Sequence, residues 1–587
     1  MKNTTYKGLK KMAIKSVKVA ADFETTTDPN DCRVWAACAV DIDSLETVHI
    51  SNSIDAFFEW LKDKNTVCYF HNLKFDGEFI LSYLLRNGYR YSNSREPKTF
   101  DTLITDTGIW YSVTVIFEKK NKKYKKVAFY DSLKKLPFKV ATISKAFNLD
   151  DEKLEIDYDA YRAPDHELTD EERRYIVNDC RIVAAALKIQ FSKGLTKMTN
   201  ASDALNGYKA IIDKKNFERL FPTFPVELDT NIRRAYKGGF VYLNPKYTNA
   251  RGLQGITLDV NSLYPSVMYD SLLPYGYPIF FEGKPNPDEK YNLFVVRVLA
   301  RFKVKENFIP TIQLKNSNRF VQTEYITDSD VYDEKGILND DPVELVLTSV
   351  DLALFLDHYD IKFIKYLDGF KFKCKMGLFK DYIDYWGNIK ATTKGAERQL
   401  AKLMLNSLYG KFATNPKAST KFSVVDRDGV VHHVANTEEN RKLYRADIRE
   451  DELRDPVYTA MGAFITAYAR NKTIRAAQAV YDRFIYADTD SLHLIGFEIP
   501  DGIEVHPTKL GAWAHEGTFT DSMYIRAKTY METIDGVDKV TCAGMPDSVK
   551  VKVNYDNFHA GSTFTGKLVP RRCVGGVVLV DTTFTIK

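Results

Sequence analysis

Ile256-Thr-Leu-Asp259-Val places a carboxylate inside an apolar strand, where an unpaired charge is costly. Far downstream, Phe484-Ile-Tyr-Ala-Asp488-Thr-Asp490-Ser-Leu-His493 reads as strand, tight acidic turn, strand. Alone, Asp-Thr-Asp is an ordinary hairpin turn, since Asp favours turns. Paired with Asp259 it points to a fold that brings distant acids together. At 587 residues the chain exceeds one core and implies several domains.

With 44% hydrophobic and 27% charged residues, wholesale disorder is excluded. The net charge of +5 permits a nucleic-acid partner without announcing one. Aromatics at 13% suit stacking surfaces as well as cores. No apolar run reaches the roughly 18 residues that mark a transmembrane helix. The start carries lysines at 2, 7, 10, 11, 15 and 18 and no acid before Asp22, but no signal-peptide core. Seven scattered cysteines without a Cys-x-x-Cys pair argue against a disulfide framework or a zinc site. A soluble intracellular protein is expected.

Residues 14–21 read as a buried strand ending at Asp22, and Val67–Phe70 as a second running into His71-Asn-Leu-Lys-Phe-Asp76. The lysine-dense Phe117–Val127 segment reads as a hairpin tip, equally a solvated turn or a phosphate contact. Thr169-Asp-Glu-Glu172 fits a capping box opening a helix from about 170 to 191. Ser192–Asp203 is polar and short, a boundary between two parts. The second part has a strand at 255–260, a helix at about 394–409 capped by Gly410, and a hairpin at 484–495. The long stretch between the first two exceeds an ordinary connection and reads as an inserted subdomain; a smaller insertion occupies 413–450.

Two acidic constellations emerge. Asp22 and Glu24 project to one side of a strand at period two, Asp76 ends a strand-loop, and Tyr175 and Asp179 share a helix face at i and i+4. Hard divalent cations need such oxygen donors. Two metals about 4 Å apart activate a water and stabilise a leaving phosphodiester oxygen, with Tyr175 orienting the water. The second constellation is Asp259 with Asp488 and Asp490. Between its halves, Arg398, Lys402, Asn406 and Tyr409 form one polar stripe on a helix, with Lys390 upstream. Such a stripe suits a triphosphate with a base above it.

Together these residues resemble the family B DNA polymerases, specifically the protein-primed subgroup of small Bacillus bacteriophages. Asp22-x-Glu24, Asn72-x-x-x-Asp76 and Tyr175-x-x-x-Asp179 match three exonuclease motifs. Asp259-x-x-Ser-Leu-Tyr-Pro, Lys402-x-x-x-Asn-Ser-x-Tyr-Gly and Tyr486-x-Asp-Thr-Asp-Ser match three polymerase motifs. Tyr236-Lys-Gly238-Gly239 and the ending GGVVLVDTTFTIK extend the match over nearly the whole chain.

The resemblance implies a multidomain α/β chain: a ribonuclease-H-like 3′→5′ exonuclease domain (1–199) and a right-hand polymerase domain (200–587). Within the latter it implies a palm (about 200–270 and 448–541), fingers (about 376–412) and a thumb (about 542–587). One insertion (about 271–375) would contact a terminal protein, and another (about 413–447) would help encircle DNA.

Asp22, Glu24, Asp76 and Asp179 would hold the exonuclease metals, assisted by Tyr175 and Lys153; Thr25, Asn72, Phe75, Ser132 and Leu133 would grip a frayed 3′ end. Asp259, Val260 and Asp490 would hold the polymerase metals beside Asp488. Val260, Tyr264, Lys390, Arg398, Lys402, Asn406 and Tyr409 would receive the dNTP, Tyr264 lying under its sugar. Tyr236, Gly238, Gly239, Ser262, Thr466, Arg470, Lys528 and Tyr530 would meet primer-template DNA through sequence-blind backbone contacts.

The implied cofactor is Mg2+, two per site, with Mn2+ as substitute. The implied setting is the cytoplasm of an infected bacterium, the chain monomeric except for a heterodimer with its terminal protein at initiation, and replication processive and strand-displacing. The competing reading is a non-catalytic DNA-binding replication or packaging factor whose acids are structural. A nuclease-only enzyme is disfavoured by the Lys402 stripe and an RNA polymerase by Tyr264. Two departures from the family stand out: a longer basic start, and Arg398 where lysine is usual.

Overall fold

The computed structural model describes residues 16–120, 123–313, 324–330 and 341–587. The basic leader through Lys15, the tip of the lysine-rich hairpin and parts of the long insertion lie outside the described residues.

The first sheet is built on strand Val17–Thr25, which pairs in parallel with Thr66–Phe70 and antiparallel with Val34–Asp41. The strand continues through Asp22 and Glu24 to Thr25 instead of stopping at Asp22, because the antiparallel ladder with Val34–Asp41 carries on beyond the parallel one. Alternation along it divides two cores. Ala20 lies with Ile176, Cys180, Val183 and Leu187 of the helix Asp170–Ser192. Val19, Ala21 and Phe23 face Phe57, Phe58, Phe79 and Ile80 of the helices Ile54–Lys62 and Leu73–Arg86. The Asp170–Ser192 helix opens with the expected capping box, Thr169 and Glu172 each satisfying the other's backbone N–H.

One neighbour in this sheet was not legible in the sequence. The hairpin Thr420–Val425/Val431–Ala435, within the smaller insertion, adds to the strand Thr99–Thr105 and so extends the N-terminal sheet.

The second sheet has seven antiparallel strands, with Gly255–Val260 inside it between Ser491–Ile495 and Trp513–Arg526. Ile256, Leu258 and Val260 are buried on it. The helices Gly395–Phe412 and Thr459–Ala479 contribute to the same core. Gly410 is not a cap: the helix runs through it to Phe412, whose ring is buried against Tyr208, Phe217, Phe221 and Phe379 and holds the last turn in place. Lys390 sits on a separate preceding helix, Lys380–Thr392.

The long insertion forms its own four-stranded antiparallel sheet from Leu273–Glu282, Leu293–Val304, Val343–Thr348 and Tyr359–Lys375, over a separate core of Val296, Val298, Phe302, Phe355 and Tyr359. The C-terminal end is the hairpin Thr563–Cys573/Gly576–Thr585.

The segment read as a boundary is tightly held. Lys135 and Asp203, both buried, form an ion pair, and Lys135 Nζ also donates to the carbonyl of Leu195 at 2.9 Å. Among the described residues no helix is long and apolar enough to cross a membrane, and all seven cysteines are free thiols.

Candidate functional site

The first acidic cluster forms at the end of the parallel strand pair. Asp22 and Glu24 lie on the strand face toward Tyr175 and Asp179. Asp76 belongs to the first turn of the helix Leu73–Arg86, not to a strand-loop end. The left-handed Asn72 (φ 72°) turns the chain directly from strand into helix, with the Asn72 N–H donating to Asp131 at 3.2 Å.

Lys153 Nζ donates to Asp179 Oδ2 at 2.6 Å and lies 3.5 Å from the Tyr175 hydroxyl, which itself bonds Tyr158. Oδ1 of Asp76 and Oδ1 of Asp179 are buried without a hydrogen-bond partner. Burial first, then repulsion from Asp179, pushes Asp22 up to about 7 against the pull of Lys153. Burial and Asp22 likewise hold Glu24 and Asp76 well above the carboxylate range.

Clustered acids carrying orphaned oxygens are what a divalent cation compensates, so these residues fit one. Among the described residues no group of three or more His, Cys, Asp or Glu is already drawn into cation-ligating geometry.

Around this cluster Asn72 is exposed and Phe75 and Leu133 are half-buried, while Ser132 is fully buried, bonding His71 Nδ1 at 2.9 Å. Thr25 is half-buried at the strand end.

The second cluster joins two distant segments. Asp259 faces Ser491 across the ladder, and the Val260 N–H donates to the Asp490 carbonyl at 2.8 Å. Thr489 adopts φ 63° between the two turn acids, and a Cβ on Gly239 would lie 2.6 Å from its Oγ1. A side chain at Gly239 would force Thr489 to shift, so glycine lets the Tyr236–Gly239 loop approach this closely. Burial, then Asp490 and Glu516, raise Asp259 to about 7; Asp490 is also raised, chiefly by burial. Glu516 was missed from the sequence, where it carries no motif. Asp488 is held differently, by Lys528 Nζ at 2.7 Å and Tyr486 OH at 3.2 Å. A cavity of about 570 Å3 is lined by Asp259, Asp488, Asp490, Glu516 and Tyr530.

The cationic stripe adjoins it. Lys390 Nζ donates to Ser262 Oγ at 2.8 Å, and Arg398 to the Lys390 carbonyl at 2.5 Å. Burial, Lys402 and Arg398 together push Lys390 down, which requires three cations close together. Tyr264 stacks on Tyr409, centroids 4.0 Å apart at 18°; Asn406 is exposed one turn earlier, Val260 is buried, Tyr236 is half-buried and Gly238 is open.

Two of the residues expected to meet DNA are buried. Thr466 and Arg470 are 1% and 2% exposed, because Thr459–Ala479 is buried around most of its circumference. Arg470 spends its guanidinium on the Lys237 and Gly238 carbonyls and on Asp351 of the long insertion, at 2.8–2.9 Å. It supports the Tyr236–Gly239 loop from behind.

The family model for DNA polymerase type B, organellar and viral, matches residues 59–167 and 155–506. The DNA polymerase of Bacillus phage M2 is 47% identical over 97% of this chain and 99% of its own length. The polymerase of Bacillus phage phi29 is 46% identical over 97% and 98%, and that of Streptococcus phage Cp-1 is 32% identical over 97% and 98%. The orthorhombic crystal form of phi29 DNA polymerase superposes with a TM-score of 0.91 at 45% identity, covering 98% of this chain and all of that one. It is an exonuclease-plus-right-hand architecture, the fold class expected from the motifs. The shared motifs, the full-length likeness and the superposition place this chain in family B, among the phi29-type DNA polymerases of Bacillus phages.

Proposed function

We propose that this DNA polymerase extends a primer at the Asp259–Asp490 site and degrades a mispaired 3′ end at the Asp22–Glu24–Asp76–Asp179 site. The observation that carries the reading is the backbone-locked approach of Asp259 to Asp490 beside Lys390, Arg398 and Lys402. The phi29 enzyme has been solved with primer-template DNA, with single-stranded DNA and with incoming nucleotides, which supports both substrates here.

Family membership implies divalent-metal dependence; we assign Mg2+ to Asp259, Val260 and Asp490 in one site and to Asp22, Glu24, Asp76 and Asp179 in the other. When bound, the cations lower the pKa of the attacking hydroxyl or water and offset charge on the leaving oxygen. The chain's own residues do the rest. Lys390, Arg398 and Lys402 bind the triphosphate, Tyr264 occupies the space of a 2′-hydroxyl, and Lys528 holds Asp488 in an ion pair. In the other site Tyr175, fixed by Lys153 and Tyr158, orients the attacking water, while Phe75 and Asn72 receive the unpaired end.

The long insertion docks a terminal protein that supplies the priming hydroxyl, and the smaller one encircles DNA for processive, strand-displacing replication in the host cytoplasm. The test is a primer-template assay on circular single-stranded DNA with and without dNTPs. Asp490→Ala is expected to abolish extension and keep degradation, and Asp22→Ala to do the reverse. Loss of both reactions in either folded variant would overturn the two-site reading.

A further inference from the structure

Glu78 carries no role in either reaction, yet its side chain is only 5% exposed. Three separate parts of the chain meet on it. Arg572, on the C-terminal hairpin, donates from Nε to Oε1 at 2.9 Å. His433, on the smaller insertion, places Nε2 3.0 and 3.1 Å from its two oxygens, and its other ring nitrogen is fixed by Ser423 at 2.9 Å. Glu78 itself belongs to the helix that carries Asp76.

The packing around this contact is close on every side. Trp110 meets the His433 ring edge-on at 5.2 Å and lies so near Gly77 that a Cβ there would be 2.3 Å from it. A Cβ on Gly576 would lie 2.4 Å from the Phe79 ring, and one on Gly575 would lie 2.0 Å from the Cys32 carbonyl. The two tips lie close to each other, with Val574 3.7 Å from where a Cβ on Gly429 would stand.

We propose that Glu78 is a positioning residue whose carboxylate clasps the smaller insertion and the C-terminal hairpin to the N-terminal domain, closing a collar that retains the enzyme on its template. The proposal rests on the reading that the smaller insertion encircles DNA. A buried ion group adds little net stability over apolar packing, but loss of one partner leaves a charge uncompensated, so its use is to fix register. A lone two-stranded hairpin is marginally stable in water. The Thr563–Cys573/Gly576–Thr585 hairpin is not alone: Phe564 and Phe584 pack its base with Val549 and Phe558, Val577 and Val578 pack its tip in the core of Phe79, and Glu78 adds a directional contact there.

The test compares Glu78→Gln, Arg572→Gln and the double variant of the full chain. Product length on circular single-stranded DNA is measured with excess trap DNA added after initiation, alongside the single-nucleotide insertion rate. Each single variant is expected to shorten products by about tenfold at unchanged insertion rate, and the double to be no shorter than either single, because the two groups act as one unit. Parental product lengths in Glu78→Gln, or multiplicative shortening in the double, would overturn the clasp. Arg572 lies on a partly exposed strand, so its variant keeps the test decisive if Glu78→Gln misfolds. Short products from the unsubstituted chain under the trap would overturn the encircling reading itself, a separate outcome.

Discussion

The Val260 N–H donates to the Asp490 carbonyl at 2.8 Å, one bond tying the strand of the first polymerase acid to the turn of the last. Because the bond is main chain to main chain, no side-chain substitution at either acid removes it. Changes at Asp259 or Asp490 therefore test chemistry with the pocket's backbone left in place.

The raised acids make stability in the absence of metal fall with pH. Asp22 and Asp259 are pushed up to about 7 in the folded state against 3.8 for the free side chain, so the folded state holds the extra protons across that window. Their ionisation opposes folding as pH rises from about 4 to 7. Asp22→Asn is expected to stabilise the chelated protein at pH 8 by about 1 kcal/mol and to change little at pH 4. Adding Mg2+ should raise the melting temperature of the parent at pH 8 and not at pH 4. Thermal melts in chelator and in Mg2+ read both effects; a chelated parent more stable at pH 8 than at pH 5 would contradict the assignment.

Tyr264 stacked on Tyr409 forms a flat aromatic wall. Tyr264→Val removes the ring and is expected to cut discrimination against ribonucleotides by about 10- to 100-fold. The readout is the ratio of kcat/KM for matched dNTP and rNTP; an unchanged ratio would remove Tyr264 from the sugar site.

Gly239→Ala drives a methyl group against Thr489, whose Oγ1 lies 2.6 Å from the added carbon. Overpacking of this kind costs about 1–3 kcal/mol. Extension should fall while degradation of single strands is retained, and Thr489→Ala in the same chain should recover part of the loss. Failure of the second change to recover any extension would show that the damage lies elsewhere.

Lys135 and Asp203 are 0% and 2% exposed at the side chain. Lys135→Met leaves Asp203 buried with the Lys197 N–H but without its cation, at an expected cost of about 3–5 kcal/mol, and pairing it with Asp203→Leu should restore much of that. Denaturant unfolding of the three variants measures the coupling. Additive losses would mean the pair is not a unit.

The motif residues were legible because each breaks a local rule. Asp259 is an acid in an apolar strand, Asp22 and Glu24 repeat at strand period, and Thr169 with Glu172 caps a helix in the only way those side chains can. Such signals depend on neighbours within a few residues, so the chain itself determined the strands, the capped helix, the acid pairs and, through their order, the family.

Tertiary packing decided the rest. Arg470 has a cation's sequence signature and a core residue's burial, because its partners, Gly238 and Asp351, come from remote segments. Gly410 is the right residue for a cap, but Phe412 is held in a pocket of rings and the helix passes through. Glu78, His433 and Arg572 look like ordinary surface charges until three distant segments bring them together and bury the Glu78 carboxylate. Local propensity fixes what a segment can become; which long-range partner satisfies its charge is settled only when the chain closes on itself.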